Sequence, residues 1–224
     1  MENSQDRVIL RRTGAIIILL GIVQFIVGMA TAPKGTLNFQ VLGILIGSAI
    51  AFGNMRVVSV VRWLACLGLL SGALIILGEI LVLPAGLHAA QFRFVPGVVL
   101  MHYGGELLVL ALSFYVFLQL GRPQVLAARA AAGRKQRDMR IPFVLGGLLG
   151  LAAAGFDAKM LNGEEATKAR REVAARVGTG FEYFTTGVNV KHSTSFSGSK
   201  TFVQARVQAW NDRELREYPV QWEE

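Results

Sequence analysis

Residues 121–140, GRPQVLAARAAAGRKQRDMR, carry six Lys/Arg (Arg122, Arg129, Arg134, Lys135, Arg137 and Arg140) against one acid, Asp138. Apolar runs flank this basic stretch on both sides. Four long ones precede it, at 13–32, 39–61, 63–83 and 97–120, and a short one, 141–156, follows. A helix needs roughly 20 mostly apolar residues to cross a bilayer, so the first four runs are long enough. The fifth, IPFVLGGLLGLAAAGF, has 16 residues and lies at the lower edge of that range, with Pro142 well placed at a helix start. A hydrophobic content of 53% agrees with membrane integration. The expected fold is a membrane all-α helical bundle of about five transmembrane helices over 1–156. A small α+β domain over 157–224 follows it.

Charge sets the expected orientation. The N-terminal segment holds Arg7, Arg11 and Arg12, the turn at 54–62 holds Arg56 and Arg62, and the 121–140 loop holds six, against only Lys34 and Arg93 in the intervening loops. Eleven cations against two is a strong positive-inside bias. The N-terminus is therefore expected in the cytoplasm of an inner (plasma) membrane protein, with the tail outside if the fifth run crosses and in the cytoplasm if that run is only interfacial. The small-x-small pattern Ala30-Thr31-Ala32 resembles a signal cleavage site, but the long apolar run and Pro33 favour an uncleaved first helix.

The net charge of +8 would ordinarily raise nucleic-acid binding. Here residues 1–156 hold 13 basic and 5 acidic residues while 157–224 hold ten of each, so the excess sits beside the apolar runs. That placement serves topology and anionic lipid, and no nucleic-acid partner is expected. The single cysteine, Cys66, lies inside an apolar run and excludes a disulfide framework. Gly43-x-x-x-Gly47 and Gly68-x-x-x-Gly72 are small-residue stripes that let another helix approach closely, within the chain, in a homo-oligomer or on a membrane-protein partner.

The tail reads differently. Asn162 is expected to cap a helix that opens with Glu164 and Glu165 and closes with Arg170, Arg171 and Arg176, a charge order that complements the helix dipole. Ala166, Ala169, Val173 and Val177 give that helix one apolar face. Residues 181–191 read as one or two strands. In 200–210, Val203, Ala205, Val207 and Ala209 alternate with Gln204, Arg206 and Gln208 as a half-buried strand does. A last strand over 215–222 contains Pro219, which suits a sheet edge. One helix and a three- to four-stranded antiparallel meander result, a unit small enough that its apolar face needs a cover.

Three residues inside the apolar runs could carry chemistry: Glu79, His102 and Glu106. With alternating topology the third helix runs outward and the fourth inward. At ~1.5 Å per residue Glu79 and His102 then reach similar depth, and Glu106 follows one turn deeper on the face of His102. Ionisable groups at such depth are costly and point to a site. Two readings stand: a proton relay, cation site or headgroup pocket, or an interhelical hydrogen bond that holds the hairpin together. No cofactor or metal is expected, because the only other evident ligand for His102 is His88, in a loop. Gln24 is expected to bond a neighbouring helix, and His192 and Ser193, Thr194, Ser195, Ser197 and Ser199 to lie in an exposed loop. Gly146-Gly147-x-x-Gly150 lacks the Lys-Ser/Thr ending of a phosphate loop.

The helix at 164–177 and the segment FSGSKTFVQARVQAW at 196–210, in which a Gly198/Lys200 turn leads into a Val/Ala-alternating strand, resemble the cytochrome c oxidase assembly-factor family. That family is a membrane helix followed by a small helix-plus-strands domain on the outer side. The likeness covers about a third of the chain, transfers no functional residue, and implies a role in assembling a membrane complex. The expected function is accordingly a non-enzymatic accessory, assembly or scaffolding factor. The alternative is a small transporter or an ion- or lipid-handling protein using Glu79, His102 and Glu106.

Overall fold

Short breaks between the apolar runs decide the helices. In a computed structural model that describes residues 5–31, 41–135, 137–195 and 198–223 (side chains of 27–31, 41, 192–195 and 198–200 excepted), the chain is mostly helical. The helices are α1 (Gln5–Thr31), α2 (Val41–Ala51), α3 (Met55–Val82), α4 (Ala85–Phe94), α5 (Pro96–Leu120), α6 (Pro123–Ala131), α7 (Arg140–Asn162) and α8 (Glu164–Val177). Strands β1 (Glu182–Ser195), β2 (Gly198–Trp210) and β3 (Leu215–Glu223) close the chain. Among the described residues, four segments are long and apolar enough to cross a membrane: Gln5–Ile26, Met55–Val82, Pro96–Leu120 and Arg140–Val177.

The run at 39–61 does not form one helix. Gly53, with φ of +79°, ends α2, and its N–H and that of Asn54 return to the carbonyls of Ile50 and Ala49. A left-handed glycine is the usual stop of this kind. The Asn54 side-chain oxygen then accepts from the N–H groups of Arg56 (3.1 Å) and Val57 (3.4 Å), capping α3. The expected turn at 54–62 is therefore the first two turns of α3. At 11 residues α2 is about 16 Å long, well short of a bilayer core. The expected loop at 84–96 is largely the helix α4, and the 121–140 loop contains α6. The turn expected at 32–38 lies outside the described residues.

Chain contacts divide the molecule into one unit of Met1–Leu70 with Val109–Gly147, and a second of Ser71–Leu108 with Leu148–Glu224. In the first, α1 and α2 form an antiparallel pair. A Cβ on Gly14 would stand 2.5 Å from the Gly47 carbonyl and one on Gly47 would stand 2.7 Å from that of Gly14, with Gly21 against Gly43 and Ile44 farther along. The Gly43/Gly47 stripe is thus used inside the chain. Ile9 and Leu10 of α1, Ile50 of α2, Val58 and Ala65 of α3, Val116 and Leu120 of α5 and Val125 of α6 make one buried core.

In the second unit α7 runs parallel to α3: Gly150 approaches Ser71 and Leu74, and Ala154 packs on Gly78. The small stripe that presses on α3 on this side is therefore on α7, and a Cβ on Gly68 of α3 would reach Ser113 Oγ at 4.0 Å. α7 continues past Phe156 to Asn162, so Asn162 is its last residue and donates from its side chain to the Ala158 carbonyl (3.0 Å). The residue preceding α8 is Gly163, without a side-chain cap.

The three strands pair antiparallel in the order β1-β2-β3, a meander with β3 and its Pro219 on an edge. A bulge between Thr185 and Gly187 leaves Thr186 out of the register with β2, its hydroxyl donating to the Arg206 carbonyl at 3.5 Å. Val203, Ala205, Val207 and Ala209 are buried as the alternation requires. α8 lies on the sheet through Ala169 and Val173 against Ala205, Val207 and Val220, and the Thr185 hydroxyl donates to the Ala166 carbonyl at 2.8 Å. A further core joins Leu87 and Ala90 of α4 to Phe184 and Trp210 of the sheet, with Val82 and Leu161 packed around it. The cover that a sheet this small requires is supplied by α8 and α4.

Candidate functional site

Glu79 stands one turn before the end of α3, and His102 and Glu106 stand one turn apart near the start of α5. The two helices run antiparallel through the short α4 connection, which brings the end of one beside the start of the other. His102 Nε2 lies 2.9 Å from Glu79 Oε1 and 3.7 Å from Glu106 Oε1. One candidate ligand atom from each residue lies within 4.8 Å of the others. The shorter distance is a hydrogen bond in the tautomer that carries the proton on Nε2. The side chains remain accessible, 50% for His102 and close to a third for the two glutamates, so the cluster opens outward rather than into packed protein. The second oxygen of Glu106, Oε2, is buried and has no hydrogen-bond partner.

Glu79 and His102 of the cluster are set into a wall of a cavity of about 450 Å³. Glu79, His102 and Tyr103 form its polar side, with Asp157 of α7, Gln91 of α4, and Thr186 and Gln208 of the sheet facing the same space. Val82, Val98, Val99, Phe156 and Met160 supply apolar lining. Gln91 donates its amide N–H to Gln208 at 2.8 Å and so ties α4 to β2 at the rim. The Thr186 bulge of β1 faces the cavity at that rim, a common use of a bulge beside a site. Tyr103 lies edge-on to His102 with ring centroids 5.0 Å apart, which limits the rotation of the imidazole.

Sequence reasoning found the three ligand-type residues and missed their surroundings. Asp157 looked like the first residue of the tail, and only the extension of α7 past Phe156 shows it to be on a helix that lines the cavity. Gln91, Thr186 and Gln208 belong to elements distant in the chain and carry no local signal. His88 stays outside the cluster: its ring nitrogen is 3.4 Å from the Ile80 carbonyl and its ring centroid is 6.3 Å from that of Tyr103. Gln24 is exposed on α1, not bonded to a neighbouring helix. The side chains of His192, Ser193, Thr194, Ser195 and Ser199 lie outside the described residues, as does Ser197 altogether.

Long apolar helices that leave most of their side chains uncovered, joined to a small sheet, belong to the class of helical membrane proteins with an appended α+β unit. Beyond that class, no protein-family model, no curated protein and no solved structure matches the chain.

Proposed function

We propose that the chain is a multi-pass protein of the inner (plasma) membrane that binds and handles a divalent cation at Glu79, His102 and Glu106. Its N-terminus is cytoplasmic, and its α8–sheet unit stands outside. The observation that carries this reading is the convergence of one imidazole nitrogen and two carboxylate oxygens within 4.8 Å, with Glu79 and His102 on the wall of a 450 Å³ cavity. Two ionised carboxylates match a divalent charge. An imidazole among the ligands favours Zn²⁺, Mn²⁺ or Fe²⁺ over Ca²⁺ and Mg²⁺, which take oxygen ligands. Three protein ligands leave at least one coordination position for water or a substrate oxygen, as open sites do.

The test is Zn²⁺ and Mn²⁺ binding to the full chain in nanodiscs, measured by competition with a chromophoric chelator. The expected result is one ion per chain, with Glu79→Gln, His102→Gln and Glu106→Gln each weakening binding by ~10–100-fold while leaving the melting curve intact. Because the ligands must be deprotonated, affinity should fall as pH falls. Unchanged binding in the Glu79→Gln/Glu106→Gln double variant would end the proposal.

An accessory role in a membrane complex is a second reading, the one that the likeness of the tail to oxidase assembly factors implies. It is favoured by one face of α5, where a Cβ on Gly97, Gly104 or Gly105 would meet nothing within 4 Å. Photo-crosslinking from Gly104 in native membranes separates the outcomes. A discrete protein adduct supports a partner on this face, and adducts to lipid alone count against it.

A further inference from the structure

The unit built from Met1–Leu70 and Val109–Gly147 contains a second polar arrangement, one without a counterion among the described residues. Arg129 of α6 is only 2% exposed. Its Nη2 donates to the Lys135 carbonyl at 2.9 Å, whereas its Nε and Nη1 are buried with no hydrogen-bond partner. Arg62 of α3 repeats the pattern, with Nε and Nη1 buried and unpartnered. It reaches the end of α5 over the Phe117 ring, 5.3 Å from the centroid, and comes so close to Gly121 that a Cβ there would stand 3.2 Å from its Nη2. The two guanidinium groups lie within reach of each other's charge. Burial, and behind it the charge of Arg137, hold the Arg129 guanidinium below the ordinary arginine range.

A buried charge needs a partner, and buried guanidinium N–H groups need acceptors. Among the described residues no carboxylate forms an ion pair with Arg62 or Arg129. Asp6, the one buried acid among the described residues of this unit, has its own Oδ1 unpartnered. Four unpartnered guanidinium nitrogens on two mutually repelling arginines, with Arg137 beside them, therefore call for an acceptor carrying several oxygens and more than one negative charge.

We infer that Arg62 and Arg129 form a site for a phosphate group, either the headgroup of an anionic lipid or a free phosphate. The guanidinium fork matches phosphate oxygens two at a time. The single acceptor held by Arg129, the Lys135 carbonyl, occupies only Nη2, which leaves Nε and Nη1 for phosphate oxygens. Gly121 suits this arrangement, since a Cβ there would stand 3.0 Å from the Phe117 carbonyl and press on the Arg62 head, which would have to give way.

The experiment is a thermal melt of the full chain in phosphatidylcholine nanodiscs. Inorganic phosphate is titrated against chloride at matched ionic strength, then the melt is repeated in discs containing phosphatidic acid or phosphatidylglycerol. Stabilisation by inorganic phosphate identifies a free oxyanion as ligand, and stabilisation only by the anionic lipids identifies a headgroup. In either case Arg62→Gln and Arg129→Gln should weaken the response about tenfold or more, the cost of losing charge-assisted bonds. Arg134→Gln, which removes an equal but exposed charge, should keep it. Arg129→Gln should also melt higher than the parent in phosphatidylcholine without phosphate, because it removes an uncompensated buried cation. If that variant does not fold, Arg62→Gln and Arg129→Lys, which keeps the charge and loses the fork, provide the same comparison. No response to either anion source, or an equal loss in Arg134→Gln, would overturn the inference.

Discussion

Gly178 ends α8 with φ of +100°, and its carbonyl accepts the Tyr183 hydroxyl at the start of β1. A side chain in that conformation is strained, so Gly178→Ala should destabilise the α8–sheet unit by roughly 1–2 kcal/mol, read as a shift in its denaturation midpoint. The Tyr183 hydroxyl is raised above its ordinary value by burial first and by Tyr218 second. A raised acid favours the neutral phenol in the folded state. The stability it contributes is complete below the unfolded tyrosine value and is lost as pH rises through the folded one. Tyr183→Phe should flatten the loss of stability above about pH 10, measured by denaturation at a series of pH values. Neither residue stands out in the sequence: a glycine after a charged helix was visible, but its conformation and the hydroxyl it accepts depend on where β1 begins.

Helix pairing rests on close backbone approach. A Cβ at Gly47 would press on the Gly14 carbonyl, which belongs to backbone and cannot swing aside. Gly47→Val should therefore cost ~1–3 kcal/mol or separate α1 from α2, seen as a lower melting temperature and a cysteine cross-link between the two helices that no longer forms. Gly104→Ala is the contrast. A Cβ there would meet no other part of the described chain within 4 Å, and the substitution should be neutral or stabilising by up to ~1 kcal/mol through helix propensity. The Gly43-x-x-x-Gly47 spacing was legible as a packing stripe, but its partner was not. The same spacing at Gly68 and Gly72 attracted the same expectation, yet α7 presses on α3 through glycines of its own. Spacing marks a face that can be approached, whereas the partner is chosen by which helices the connections bring side by side.

Across the whole molecule, direction is tightly constrained. α5 runs antiparallel to α3 at Glu79 and His102, and α7 runs parallel to α3 at Gly150 and Ala154. The ends of α3 and α7 then meet, as Val82 and Leu161 do around the Leu87–Trp210 core. A reporter inserted in α4 and one fused after Glu224 should thus read the same side of the membrane, and outside under the positive-inside bias. Opposite readings would show that α7 does not cross beside α3. An inside reading from both would reverse the proposed orientation and place the cation site on the cytoplasmic side.

The sequence alone determined that the chain is built of long apolar helices followed by a small helix-and-strand tail. It also singled out Glu79, His102 and Glu106 as the polar residues most out of place. These are properties of composition and period, readable within a window of about twenty residues. The tertiary structure decided the break at Gly53-Asn54, because two turn-forming residues inside an apolar run weigh little in hydropathy and a great deal in backbone geometry. It also placed Asp157, Gln91, Thr186 and Gln208 around one cavity, buried Arg129, and left guanidinium nitrogens of Arg62 and Arg129 without a partner among the described residues. Burial and the absence of a partner depend on what other segments bring to a point in space, and no local pattern of residues records that.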